Sequence, residues 1–261
     1  MHYIFSKKWK LTRKVLPFVA LIVALKFATH YADIEFLSLS ALFTAVISAN
    51  IFLIGFLITG VLADYKESEK LPGDLAAGIE AIADECRIIY TNKKSEEAKV
   101  CLIFISDFTG NLIEWFHKKE KTAKVMEKIT GLNKFFLDFE QLTQANFIVR
   151  MKQEQSAIRR MITRIHTIRE TSFNEAGYTI AEIITALVIF GLLFIRIDPY
   201  YESVFFVGFV SFILLYMVFL IKDLDNPFAY YEKESLSEEV SLKPLVDLQK
   251  RFSNSISRNN L

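Results

Sequence analysis

Cysteine, proline and glycine are all scarce: two, five and nine residues in a chain of 261. Two cysteines, Cys86 and Cys101, cannot build a disulfide framework, and their spacing is not that of a metal site. Both are expected to be reduced thiols in a cytoplasmic part. So little proline and glycine excludes a low-complexity chain or a long flexible linker. A charge excess of one sign is missing too: 31 basic against 30 acidic residues leave +1, with no global attraction to nucleic acid. Catalytic signatures are equally absent. The sequence has no P-loop, no dinucleotide-binding glycine pattern, no HExxH, no CxxC and no nucleophile elbow. His2, His30, His117 and His166 are far apart, with His166 read as a helix-surface residue, and no carboxylate pair stands out in an apolar setting. The chain is therefore not expected to be an enzyme or to hold a metal or cofactor.

What the sequence has is apolar residues in long blocks. Hydrophobic residues make up 52% of the chain, 24 of them Phe. Four blocks come near the length that crosses roughly 30 Å of hydrocarbon. They are Val15 to Tyr31, Leu39 to Ala63, Tyr178 to Ile195 and Val204 to Ile221. The first follows basic residues as a signal peptide would, but it lacks a small-residue cleavage site and a second span follows at once, so it is read as retained. Lys7, Lys8, Lys10, Arg13 and Lys14 keep the amino terminus cytoplasmic by the positive-inside rule. The two short loops that carry Asp33 and Glu35, and Arg196, Asp198 and Glu202, then face outside. Both termini are expected in the cytoplasm of a multi-pass plasma-membrane protein. Lys26 and Glu182 fall inside spans, each near an end from which it can snorkel to the interface.

These spans divide the chain into an amino-terminal tail with two membrane helices (1–63), a helical cytoplasmic domain (64–177), two further membrane helices (178–222) and a cytoplasmic tail (223–261). The cytoplasmic domain shows apolar residues at three- and four-residue intervals and no strand signals. It is neutral as a whole, with 18 basic and 18 acidic residues. Its bases gather near its end, at Arg150, Lys152, Arg159, Arg160, Arg164 and Arg169. Such a helix suits a solvated face, anionic lipid heads or an anion route. Its apolar stripe is expected at Ile148, Met151, Ile158, Met161 or Ile162, and Ile165.

In the second span Ser48, Phe52, Phe56 and Gly60 recur every four residues on one slowly drifting face. Gly55 and Thr59 lie beside it and permit close helix approach. A Phe pair so placed suits lipid, a neighbouring helix or a pore wall. The flanks narrow the choice. Gly55-Phe56 in an apolar helix, followed by a polar segment ending in Leu71-Pro72-Gly73-Asp74, resembles the pore helix and following turn of the bestrophin channel family. Asn226-Pro227-Phe228, after the last span, resembles the NPF of the same family. There Pro ends the helix and lets the chain turn back along the cytoplasmic domain. The plan of two spans, a helical insert, two spans and a returning tail agrees over most of the chain. The sequence departs from the family at Gly73, where Trp is common, and at Leu62, Ala63 and Asp64, where aromatic and basic residues are usual. After NPF it has Ala229, Tyr230, Tyr231 and Glu232 in place of the acidic run of calcium-gated members, so no calcium gate is expected.

The resemblance implies an all-α membrane protein, four membrane helices per subunit with a helical cytoplasmic domain, assembled as a homopentamer around one central pore. Phe52 and Phe56 would form a hydrophobic neck, with Ser48 one turn outward and Gly55, Thr59 and Gly60 packing beside it. Such a neck gates small inorganic ions by dewetting. Asp33, Glu35, Asp198 and Glu202 against Arg196 put −3 per subunit at the outer mouth, which favours cations, whereas the basic helix favours anions. The partners implied are further copies of the chain, the bilayer and small ions. Two other classes share parts of this pattern: a stator-like proton-channel subunit of an energy-coupling complex, and a non-conducting membrane scaffold or sensor.

Overall fold

The computed structural model describes residues 9–171, 175–228, 230 and 239–257. They form eight α-helices: α1 (Lys10–Tyr31), α2 (Ala41–Lys93), α3 (Glu96–Phe116), α4 (Thr122–Asp138), α5 (Ala145–Glu170), α6 (Glu175–Leu193), α7 (Tyr200–Asp225) and α8 (Lys243–Ser257). Two two-residue strands, β1 (Leu37–Ser38) and β2 (Ile195–Arg196), pair in parallel. The chain divides into two compact units. One holds the described parts of Met1–Tyr65 and Ser172–Asn226. The other holds Lys66–Thr171 with the described parts of Pro227–Ser235 and Glu239–Leu261.

In the first unit α1 packs along α7, and α6 packs against both. Phe18 meets Phe219 at 5.8 Å between ring centroids, and Phe27 meets Tyr200 at the same distance. Ile54, Leu57 and Val61 of α2 join Val188 and Leu192 of α6 and Val207 and Leu214 of α7 in one buried cluster. Gly191 is needed here: a Cβ at that position would lie 2.7 Å from the Phe43 ring. Small residues permit this kind of approach between apolar helices. Among the described residues three helices are long and apolar enough to cross a membrane: α2, the one ending at Leu193, and α7. The first expected span also folds as a helix, α1, but does not meet that measure. It carries Lys10, Arg13 and Lys14 at its start and Lys26 within.

Where the sequence predicts a turn, at Leu71-Pro72-Gly73-Asp74, the structure has uninterrupted helix. Pro72 lies inside α2. An interior proline costs about 3 kcal/mol through its missing N–H and its clash with the preceding turn. Leu71, Leu75, Ile79 and Ile82, however, recur on one buried face of this stretch. Each such side chain contributes about 1.5–3 kcal/mol on burial, so the packed face outweighs the local penalty. The motif therefore keeps its residues and loses its turn.

Among its described residues, the regular structure of the second unit is all helical. Ser95 caps α3, its Oγ accepting from Ala98 N at 3.1 Å, and Glu96 and Glu97 follow in the first turn where the helix dipole favours them. In α5, Met151, Ile158, Ile162 and Ile165 are fully buried, which settles the choice between Met161 and Ile162. Gln155 sits among them and donates to Ile129 O at 2.6 Å. Trp115 Nε1 donates to Thr122 Oγ1 at 2.9 Å, and the Arg169 guanidinium lies 5.0 Å from the Trp115 ring. The tail returns as α8, which packs on α3, buries Leu245, Leu248 and Phe252, and ties Arg251 to Glu80 at 2.8 Å.

Candidate pore face and charge network

Helix α2 has two faces within its first unit. Asn50, Ile54, Leu57 and Val61 point into the core. Asn50 Nδ2 donates to Thr185 Oγ1 of α6 at 3.0 Å, pairing the donor side of a buried amide in apolar surroundings. The other face carries Ser48, Phe52, Phe56 and Thr59, all exposed. Phe52 and Phe56 keep 78% and 66% of their surface uncovered, so no helix of the same chain shields them. The hydroxyls on this face are quenched locally: Ser48 Oγ donates to Thr44 O at 3.0 Å and Thr59 Oγ1 to Gly55 O at 2.9 Å. The result is a strip without an unsatisfied hydroxyl, dominated by two aromatic rings one turn apart. Gly55 and Gly60 lie half-buried beside it, and a Cβ at Gly55 would meet nothing within 4 Å. Inside a single chain Gly55 therefore brings no helix close.

The expected loop charges separate into two groups. Asp33 and Asp198 are exposed and flank Arg196 at 4.0 and 3.7 Å, while Glu202 sits half-buried in the first turn of α7. Glu35 behaves differently. Its side chain is 5% exposed, with one oxygen 2.6 Å from Lys26 Nζ and the other 2.9 Å from His30 Nδ1. Lys26 is itself fully buried and also donates to Ile195 O at 2.5 Å and Leu193 O at 3.3 Å. The snorkelling expected for Lys26 is thus replaced by internal partners: a carboxylate pairs with its charge and two carbonyls accept its hydrogen bonds. Burial would raise the Glu35 carboxyl, but His30 and Lys26 together outweigh it and hold it below the usual carboxylate range. With Lys26 counted against Glu35, the loop charge falls from −3 to −2 per subunit. Glu182 is also paired, with Lys222 at 2.6 Å.

The basic residues of α5 are engaged within their own unit. Arg150 reaches Glu85, Arg164 reaches Glu67, Lys152 reaches Asn133 and Arg159 reaches Thr130. Arg160 donates to Ser156 and Arg169 to the Trp115 carbonyl. Arg164 holds the Glu67 carboxyl below its usual range, chiefly by its hydrogen bond, which with a smaller contribution from its charge outweighs the opposing effect of burial. His166, read as a helix-surface residue, is half-buried and lies 3.3 Å from Thr122 Oγ1.

Phe228 of the Asn226-Pro227-Phe228 motif is fully buried, 5.6 Å from Phe116 between ring centroids. Asn226 caps the end of α7, and Pro227 O accepts from Val240 N at 3.0 Å. Ala229, Tyr231 and Glu232 lie outside the described residues. Cys86 and Cys101, fifteen positions apart, bring their sulfurs to 3.5 Å in the buried core as free thiols. The Cys86 sulfur and burial together push the Cys101 thiol well above its ordinary range. No group of three His, Cys, Asp or Glu able to hold a metal occurs among the described residues.

This architecture, with apolar helices packed on one face of a helix whose aromatic face is left uncovered, defines a helical membrane-protein fold. Its counterparts among solved structures are bestrophin-like. A single-site variant of a bacterial bestrophin homologue from Klebsiella pneumoniae superposes with a TM-score of 0.73 at 14% identity, over 94% of this chain and 97% of that one. A second variant of that homologue gives 0.71 at 16% identity, covering 92% and 98%. A structure described only as a membrane protein gives 0.75 at 14%, covering 95% and 98%. No protein-family description and no curated protein matches the sequence. At these identities the likeness establishes the fold: the chain has a bestrophin-like fold.

Proposed function

We propose that this chain is the subunit of a bestrophin-like ion channel in the plasma membrane. Five copies surround one central pore that passes small monovalent ions. Each copy contributes four membrane helices, α1, the first part of α2, α6 and α7, with both termini cytoplasmic. Helix α2 lines the pore. Phe52 and Phe56 form two hydrophobic layers about 6 Å apart along the helix, at 1.5 Å per residue. Ser48 lies one turn beyond them, and Gly55, Thr59 and Gly60 lie where neighbouring α2 helices meet. A neck of this kind closes by dewetting and conducts when it widens. Asp33, Asp198 and Glu202 would surround the mouth, with Glu35 removed from that role by Lys26.

The observation that carries this reading is the uncovered Phe52–Phe56 face on α2 of a chain with a bestrophin-like fold. It calls for an occupant supplied by other copies or by the pore. Mass photometry of the protein in mild detergent, followed by ion flux from loaded vesicles, tests it. A five-copy mass with flux above empty vesicles is expected. A monomer or dimer, or five copies without flux, would overturn it.

A further inference from the structure

Within the first unit, α1, α6 and α7 leave an apolar groove of about 460 Å³. Ile22, Ile189, Phe190, Leu215 and Phe219 line it, and Glu182 and Lys222 stand together at one end. Along α6 it extends from Glu182 to Leu193, which is about 16 Å of helix and close to the ~15 Å hydrocarbon depth of a single leaflet. A charged pair at one end of an apolar channel one leaflet deep has the layout of a phospholipid: head at the pair, chain along the helices.

We propose that this groove is a lipid site selective for a phospholipid with an ethanolamine headgroup. The proposal rests on the membrane placement of the first unit given above. Glu182 and Lys222 lie 2.6 Å apart, with side chains 41% and 54% exposed. A pair so exposed is held weakly, so a headgroup can open it. Ethanolamine phosphate carries the complementary pair of charges. Its ammonium donates to Glu182 while its phosphate accepts from Lys222, two charge-assisted hydrogen bonds in place of one. A choline headgroup has no N–H to donate to Glu182. A glycerol headgroup leaves the lipid anionic beside that carboxylate. Ala186 is exposed on the groove wall midway along, so a chain seated there covers it.

Native mass spectrometry of the delipidated full-length protein tests the proposal. Phosphatidylethanolamine, phosphatidylcholine and phosphatidylglycerol with identical acyl chains are added in turn. The ethanolamine lipid is expected to bind at about tenfold lower concentration than the choline lipid, the worth of one charge-assisted hydrogen bond. Glu182→Gln should erase that preference, and Ala186→Phe, which fills the groove without touching the core, should remove the adduct. Equal binding of the three lipids by wild type would overturn the proposal, as would a preference that survives Glu182→Gln. So would cross-linking of Ala186→Cys to a second copy, which would make the groove a protein interface. Protein that stays soluble without detergent would instead defeat the membrane placement itself.

Discussion

Lys26 and Glu35 form a buried ion pair, 2.6 Å apart and 0% and 5% exposed, that joins the end of α1 to the connection leading into α2. Lys26 also holds the carbonyls of Leu193 and Ile195, while Leu37 and Ser38 pair in register with Ile195 and Arg196. One lysine thereby fastens the α1–α2 connection to the α6–α7 connection. Since an ionised carboxylate only accepts, the His30 Nδ1 beside Glu35 carries the proton, and its ring stacks on Tyr200 at 3.7 Å.

Breaking this pair from one side should be more harmful than removing it. Lys26→Met leaves Glu35 buried without its cation and is expected to cost about 3–5 kcal/mol. Lys26→Met with Glu35→Leu should recover most of that loss. Thermal unfolding of the two variants and the wild type in detergent checks the order. A double variant less stable than the single would contradict it.

Acid should act on the same pair. The Glu35 carboxyl is held below its ordinary value of 4.5 in the fold, so its contribution is complete above that value. It is lost as pH falls through the lowered folded value. The Glu67–Arg164 pair of the second unit follows the same sign. Melting temperature is therefore expected to stay level from neutral pH down to the ordinary glutamate range and to fall below it. Glu35→Gln should make that fall shallower.

Gly191 should tolerate little enlargement. A Cβ there lies 2.7 and 3.1 Å from two atoms of the Phe43 ring. Gly191→Leu is expected to cost about 1–3 kcal/mol by overpacking, and Phe43→Ala added to it should return part of the loss. Melting of the single and double variants checks both statements.

Phe228 should matter to the second unit as an anchor. It is fully buried against Phe116. Phe228→Ala is expected to cost about 3–5 kcal/mol through lost contacts and the cavity left behind. Limited proteolysis should then cut faster within Lys243–Ser257, whose helix belongs to the same unit. An unchanged cleavage pattern and melting curve would refute this role.

The helices and their faces were legible because hydrophobic spacing is a local property. The α5 stripe at Met151, Ile158 and Ile165 and the division of α2 into core and Phe faces both follow from spacing alone. Two other features depended on residues distant in sequence. The turn expected at Pro72 yields to a buried face that packing in the second unit creates. Lys26 meets Glu35 and two carbonyls more than 160 positions away, and no local pattern announces that meeting. A lysine inside an apolar run with an acid just past its end is the only trace of it. Cys86 and Cys101 likewise lie on different helices, and their approach to 3.5 Å follows from helix packing rather than spacing.

Planar-bilayer recording of the purified assembly, wild type beside Phe52→Ala/Phe56→Ala, tests the central claim most directly. Wild type is expected to conduct, and the double variant, with its neck widened and made easier to wet, to conduct more current with less closing. Absence of current from both, with five-copy assemblies intact, would contradict the assignment of this chain as a channel. Currents unchanged by the double variant would contradict the neck.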